Sequence, residues 1–164
     1  MNAALQLEEF FLTRLDVTCE PPSEEKQETG GQTSIGFDYD VANHIDEPLR
    51  RRMDFRFKLQ EQTADQKPLG FRLTVEIVGF FTIGDQIPPE KVELQTRVNG
   101  VSVLYGILRG LVANVTGSFP VGKLVLPTVM PQDIVNDVER RKAEERNKEA
   151  AKLPHESIKS SEGI

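Results

Sequence analysis

The sequence predicts an α+β domain: four antiparallel strands, packed on one side only, with helices completing the layer. Three observations carry this. Four separate stretches alternate apolar and polar residues, the period of a strand with one dry face and one wet face. From Val101, apolar residues then recur at three- and four-residue spacing, as one side of a helix does. A final segment from Gln132 to Lys152 begins apolar and ends almost wholly charged.

The first strand covers Phe11 to Cys19, with Phe11, Leu15, Val17 and Cys19 on one side and Arg14, Asp16 and Thr18 on the other. Pro21-Pro22 end it, because proline cannot donate to a ladder, and SEEKQETGGQ is a polar connection long enough to cross a sheet. The second strand sets Ile35, Phe37, Tyr39 and Val41 against Gly36, Asp38 and Asp40. The third, Met53, Phe55, Phe57 and Leu59 against Asp54, Arg56, Lys58 and Gln60, has the strongest period of two in the chain. After the turn-like TADQKPLG, Phe71, Leu73, Val75 and Ile77 alternate with Arg72, Thr74 and Glu76. Mixed charges on the outer faces allow Asp54, Arg56 and Lys58 to pair with Arg72 and Glu76.

Pro88-Pro89 and Glu90 suit a helix start, so EKVELQTRV reads as a short helix or a strand-like connection. The main helix is expected from Val101 to Thr116, ended by Gly117, with Val101, Leu104, Leu108, Leu111 and Val115 on one face. Gly106, Gly110, Ala113 and Gly117 form a second line on it, a strip of nearly bare backbone. Glycine inside a helix costs roughly 0.5–1 kcal/mol relative to alanine, so this strip predicts close approach by another backbone. Arg109 and Asn114 break a segment judged shorter than the ~20 apolar residues of a membrane span. SFPVGKLVLPTVMP, too rich in proline and glycine for regular structure, must cap the core or line a groove. Residues 1–150 form the expected domain and 151–164 a disordered tail.

The 164 residues are enough for one real core, and the net charge of −6 speaks against a nucleic-acid groove or an anionic membrane partner. Cys19 is the only cysteine and the N-terminus lacks a secretory pattern, so the cytoplasm is the expected compartment. His44 lies near Asp46 and Glu47, but these do not have the defined ligand spacing of a zinc centre. No phosphate-cradling loop follows Gly30-Gly31, and the carboxylates are scattered on polar faces. No metal, no cofactor and no catalytic constellation are therefore expected, and the chain is read as a binding protein rather than an enzyme.

The segment LYGILRGLVANVTGSFPVGKLVLPTV resembles the SecB family of export chaperones. Leu104, Tyr105 and Arg109 are similar to the start of that family's helix; Gly117, Phe119 and Pro120 look like its corner, followed by Leu124, Leu126 and Pro127. Gly79-Phe80-Phe81-Thr82-Ile83 is similar to the family's preceding glycine, apolar residue, phenylalanine, hydroxyl residue and isoleucine, and the order of elements agrees over roughly residues 8–150. The departures are Gly106, where many members have proline, Gly110, where they have glutamate, and a strand on which the acidic residues that dock the translocase motor find no counterpart.

The resemblance implies a SecB-like sheet with helices on one face, assembled as a dimer or dimer of dimers, holding unfolded polypeptides without ATP. Its expected client groove is Phe80, Phe81, Ile83, Phe119, Leu124, Leu126, Val135 and Val138. The expected oligomer interface is Leu104, Gly106, Leu108, Gly110, Ala113 and Gly117, in a homotetramer. The resemblance implies a general holdase in protein export, with the Sec translocase motor as a further partner; the alternative is a SecB-like chaperone dedicated to one partner such as an antitoxin.

Overall fold

A computed structural model describes residues 4–19, 33–61, 70–120 and 122–152. The elements run β1 (Leu5–Cys19), β2 (Thr33–Asn43), β3 (Arg50–Glu61), β4 (Phe71–Ile83), α1 (Pro89–Thr116) and α2 (Pro131–Lys152). The sheet is antiparallel throughout, in the order β1-β4-β3-β2, so β1 and β2 stand at opposite edges. The connection between them, including SEEKQETGGQ, lies outside the described residues. So do most of the β3–β4 connection and the tail from Leu153; α2 itself continues through the expected boundary at 150 to Lys152.

The period of two is realised strand by strand. Tyr39, Met53, Phe55, Phe57, Leu59, Phe71, Leu73, Val75 and Ile77 are buried on the inner face, where α1 lies. On the outer face one row crosses all four strands with alternating sign: Asp38, Arg56, Glu76, Arg14. Arg56 pairs with Asp38 and Asp40, and Arg14 reaches Glu76 at 3.6 Å. Opposite charges facing one another across a ladder stabilise the pairing and leave no field of one sign.

β1 departs from the expected phase. It is paired with β4 from Leu5 onward, six residues earlier than its alternation suggested, and its register shifts between Leu7 and Glu9 and between Leu12 and Arg14. Each shift inserts an extra residue and exchanges the faces beyond it. Phe11 therefore faces outward with Val78 and Phe80, whereas Leu15 and Val17 face inward with Val75 and Leu73.

α1 is one continuous helix of 28 residues, so EKVELQTRV is its first part and not a separate element. Its buried face is Val101, Leu104, Tyr105, Leu108, Val112 and Thr116; Leu111 and Val115 flank it half-buried. By length and apolar content this helix is able to cross a membrane, contrary to the length argument made from the sequence. Packing on the sheet covers one side of it, and 33% of its apolar window is buried. The helix ends at Gly117 in ordinary right-handed geometry, and the left-handed residue lies further on, at Gly122 (φ 97°). α2 packs on α1 and β2, with Ile134, Val135 and Val138 in the core, and its later turns are exposed.

Candidate functional site

Among the described residues, two apolar surfaces left after folding adjoin α1. The first lies where α1 leaves the inner face of β1 uncovered. Phe10 and Leu12, 47% and 42% exposed, form a groove of about 810 Å³ with Ile77 and with Ile107, Gly110 and Leu111 of α1. Both Phe10 and Leu12 lie opposite inner-face residues of β4, Gly79 and Ile77, so they belong to a core layer that the described residues do not close. Periodicity missed them because they are adjacent to the register shift that brings Leu12 inward.

α1's outer side continues this surface. A β-carbon built on Gly106 or Gly110 meets nothing within 4 Å, and Gly117 is exposed beside a half-buried Ala113. The strip is thus bare toward the outside. Leu104 and Leu108, expected in the same interface, are fully buried over the sheet instead. A 3.6-residue period places them on the opposite side of the helix from Gly106 and Gly110, so one contact cannot include all four. Close backbone approach inside the chain falls to other glycines. A β-carbon on Gly100 would stand 2.7 Å from Met53 Cε, and one on Gly79 would stand 2.9 Å from Leu104 Cδ2.

The second surface is the connection from Gly122 to Met130. Three α1 side chains hold it down. Tyr105 donates its hydroxyl to the Pro127 carbonyl at 2.6 Å, and Arg109 Nε donates to the Leu126 carbonyl at 3.1 Å. Thr116 Oγ1 bonds back to Val112 O and accepts the amide of Leu124 at 2.9 Å. A proline-rich segment with no ladder of its own has its polar groups satisfied this way. Leu126 is driven into the core, Leu124 and Phe119 are half-buried, and Val125 and Met130 stand outward at 63% and 66% exposure.

Among the described residues, those of the expected client groove do not share one exposed surface. Phe81, Ile83, Leu126, Val135 and Val138 are sealed in the core. Phe80 lies on the other face of the sheet from Phe81, because neighbours in a strand point oppositely; its ring meets Phe11 edge-on at 6.2 Å. Phe119 and Leu124 keep partial access, with Phe119 stacked edge-on against Phe71 at 5.9 Å. The outward residues Val125 and Met130 lie in the same connection, where proline and glycine leave no period from which to read direction.

The polar counterpart is a cavity of about 720 Å³ between β2, the start of α1 and α2. Tyr39 donates its hydroxyl to Glu139 Oε1 at 2.6 Å, and Arg97 reaches Glu139 at 3.5 Å. Burial, then the neighbouring Glu139 carboxylate, pushes the Tyr39 phenol well above its ordinary range. Asp40 is held below the usual carboxylate range by hydrogen bonds from Lys142 and then Arg56. Among the described residues no three His, Cys, Asp or Glu side chains gather as a metal site would require.

No protein-family model and no curated protein matches the sequence. Among solved structures the chain is similar to a Mycobacterium tuberculosis SecB-like chaperone, Rv1957, in complex with a ChAD peptide from the Rv1956 HigA1 antitoxin. The TM-score is 0.58 at 18% identity, covering 77% of this chain and 91% of that one. A Streptococcus agalactiae protein of unknown function matches at TM-score 0.39 and 15% identity, over 76% of this chain and 97% of that one. The fold is SecB-like: a four-stranded antiparallel sheet with two helices.

Proposed function

We propose that the protein is a chaperone, working without ATP, that takes an apolar segment of one partner polypeptide such as an antitoxin. The observation that carries this is the likeness in fold to a chaperone whose structure holds an antitoxin peptide. The connection from Gly122 to Met130, with Val125 and Met130 outward and Phe119 and Leu124 partly accessible, is the client surface in this reading. The groove of Phe10, Leu12, Ile107 and Leu111, with the bare strip of α1 beside it, takes a second copy of the chain.

The magnitudes favour assembly. Burying an apolar side chain contributes roughly 1.5–3 kcal/mol, and association costs an estimated 4–15 kcal/mol in lost freedom. Two or three outward side chains on one subunit contribute ~3–9 kcal/mol and do not offset most of that range. Several subunits engaging one client raise the effective concentration enough to hold it.

A general role in export is the weaker reading on one observation. The row of the outer sheet face that crosses all four strands alternates in sign, with Glu76 beside Arg14 and Asp38 beside Arg56, and so offers no acidic field for a translocase motor.

The test compares peptides tiled from proteins encoded beside this gene with a reduced, carboxymethylated, permanently unfolded protein. We expect one tiled segment to bind at least tenfold tighter than the unfolded protein, with no nucleotide present. Equal binding returns the general holdase, and binding of neither ends the chaperone reading. Val125→Asp with Met130→Asp is expected to weaken the client while leaving assembly intact. Leu12→Asp is expected to do the reverse.

A further inference from the structure

β2 is an edge strand, and such an edge presents unpaired main-chain groups to any extended chain that approaches. Here α2 occupies it. Arg141 Nη2 donates to the Phe37 carbonyl and Lys142 Nζ to the Tyr39 carbonyl, two residues apart and therefore on the same, outward edge. The Tyr39 amide between them is taken by the Asp38 carboxylate at 2.9 Å. Lys142 is itself fixed by Asp40 at 2.8 Å and Asp38 at 3.7 Å, and sits 5.1 Å from the centre of the Tyr39 ring. Apolar packing in this part of α2 is absent: from Arg140 to Glu149 every residue is charged or polar except Ala143. The contact therefore rests on charged side chains, Lys142 through ion pairs and a carbonyl and Arg141 through a charge-assisted hydrogen bond to a carbonyl, while Asp137 of α2 pairs with Arg141 at 3.2 Å.

We propose that Arg141 and Lys142 form an ionic clasp that closes the β2 edge to strand addition, and that release of the clasp opens the edge to main-chain pairing with an extended polypeptide. Beyond the clasp, Val41 and Asn43 of the same edge line the polar cavity of about 720 Å³ with Arg51 and α2, so the opened edge is continuous with that cavity. Charges on both sides of that space suit a polar or charged segment. This device is independent of the client surface assigned above, because none of its residues belongs to it.

The test is amide hydrogen exchange on the full chain with and without the permanently unfolded protein as probe. In wild type at low salt, the probe is expected to leave exchange in residues 35–43 unchanged. In Arg141→Met/Lys142→Met it is expected to slow that exchange at least fivefold, and Arg141→Lys/Lys142→Arg is expected to behave as wild type. Should the methionine variant fail to fold, wild type at ~1 M salt replaces it, since a screening length of ~3 Å there weakens the Lys142 pairs with Asp40 and Asp38. β1, whose edge carries no such cap among the described residues, is the internal control for probe binding that merely follows salt. A β2 edge that the probe protects no better in the variant, or at high salt, than in wild type overturns the clasp. So does a lysine-arginine exchange variant that opens as the methionine variant does.

Discussion

Leu104 of α1 rests its Cδ2 on Gly79 of β4, at a point only 2.9 Å from where a β-carbon would stand. The Phe81 ring crowds the same point, also at 2.9 Å. Helix and sheet therefore meet at a glycine on the strand, and the large side chain comes from the helix.

Gly79→Ala is expected to destabilise the fold by ~1–3 kcal/mol, the usual range for forcing extra volume into a packed core. Urea unfolding measures it. In Leu104→Ala the added methyl group gains room, so the cost of Gly79→Ala should shrink in the double variant; unchanged additivity would show that the two do not touch.

Leu104 and Gly106 are two residues apart and should respond in opposite senses. Leu104→Ala removes a fully buried side chain and is expected to cost ~2–5 kcal/mol. Gly106→Ala places a methyl group in open space and should stabilise a lone subunit by ~0.5–1 kcal/mol. Thermal unfolding at dilution reads the second effect. Light scattering on the same variant reads whether the bare strip is where copies meet, as weaker association.

Tyr105→Phe removes the hydroxyl that holds the Pro127 carbonyl. A lost hydrogen bond of this kind costs ~0.5–1.5 kcal/mol, more if the carbonyl stays dry. The sharper readout is local: exchange in residues 122–130 should quicken while that of β3 and β4 stays as it was. Uniform quickening would mean that the hydroxyl supports the whole core.

The clasp should also tolerate mild acid. Asp40 titrates below the usual carboxylate range in the folded chain, owing first to Lys142 and then to Arg56. A depressed value means that its contribution is complete above the unfolded pKa of ~3.9 and is lost as pH falls through the lower folded value. Exchange in α2, corrected for the intrinsic pH dependence of the amides, is expected to match at pH 5 and pH 7 and to rise only below about 4. A rise already at pH 5 would place the controlling group elsewhere.

Local period was enough to find β2, β3 and β4 in the sequence, because alternation needs only neighbours along one chain. The wet face of α2 was equally legible, since charge is counted residue by residue. The order of four strands, helix, apolar connection and final helix was also legible, and it is that of a SecB-like fold. Direction, by contrast, came from tertiary contacts alone. Two extra residues in β1 turned Phe11 outward and Leu12 inward, and no period reveals an insertion whose partner is β4, more than sixty residues away. Likewise Gly79 and Gly100 became the sites of close approach while Gly106 and Gly110 faced open space, because what a glycine admits depends on the element opposite it. Periodicity gives each element its faces; the pairing of distant elements determines which face is sealed and which is left for a partner.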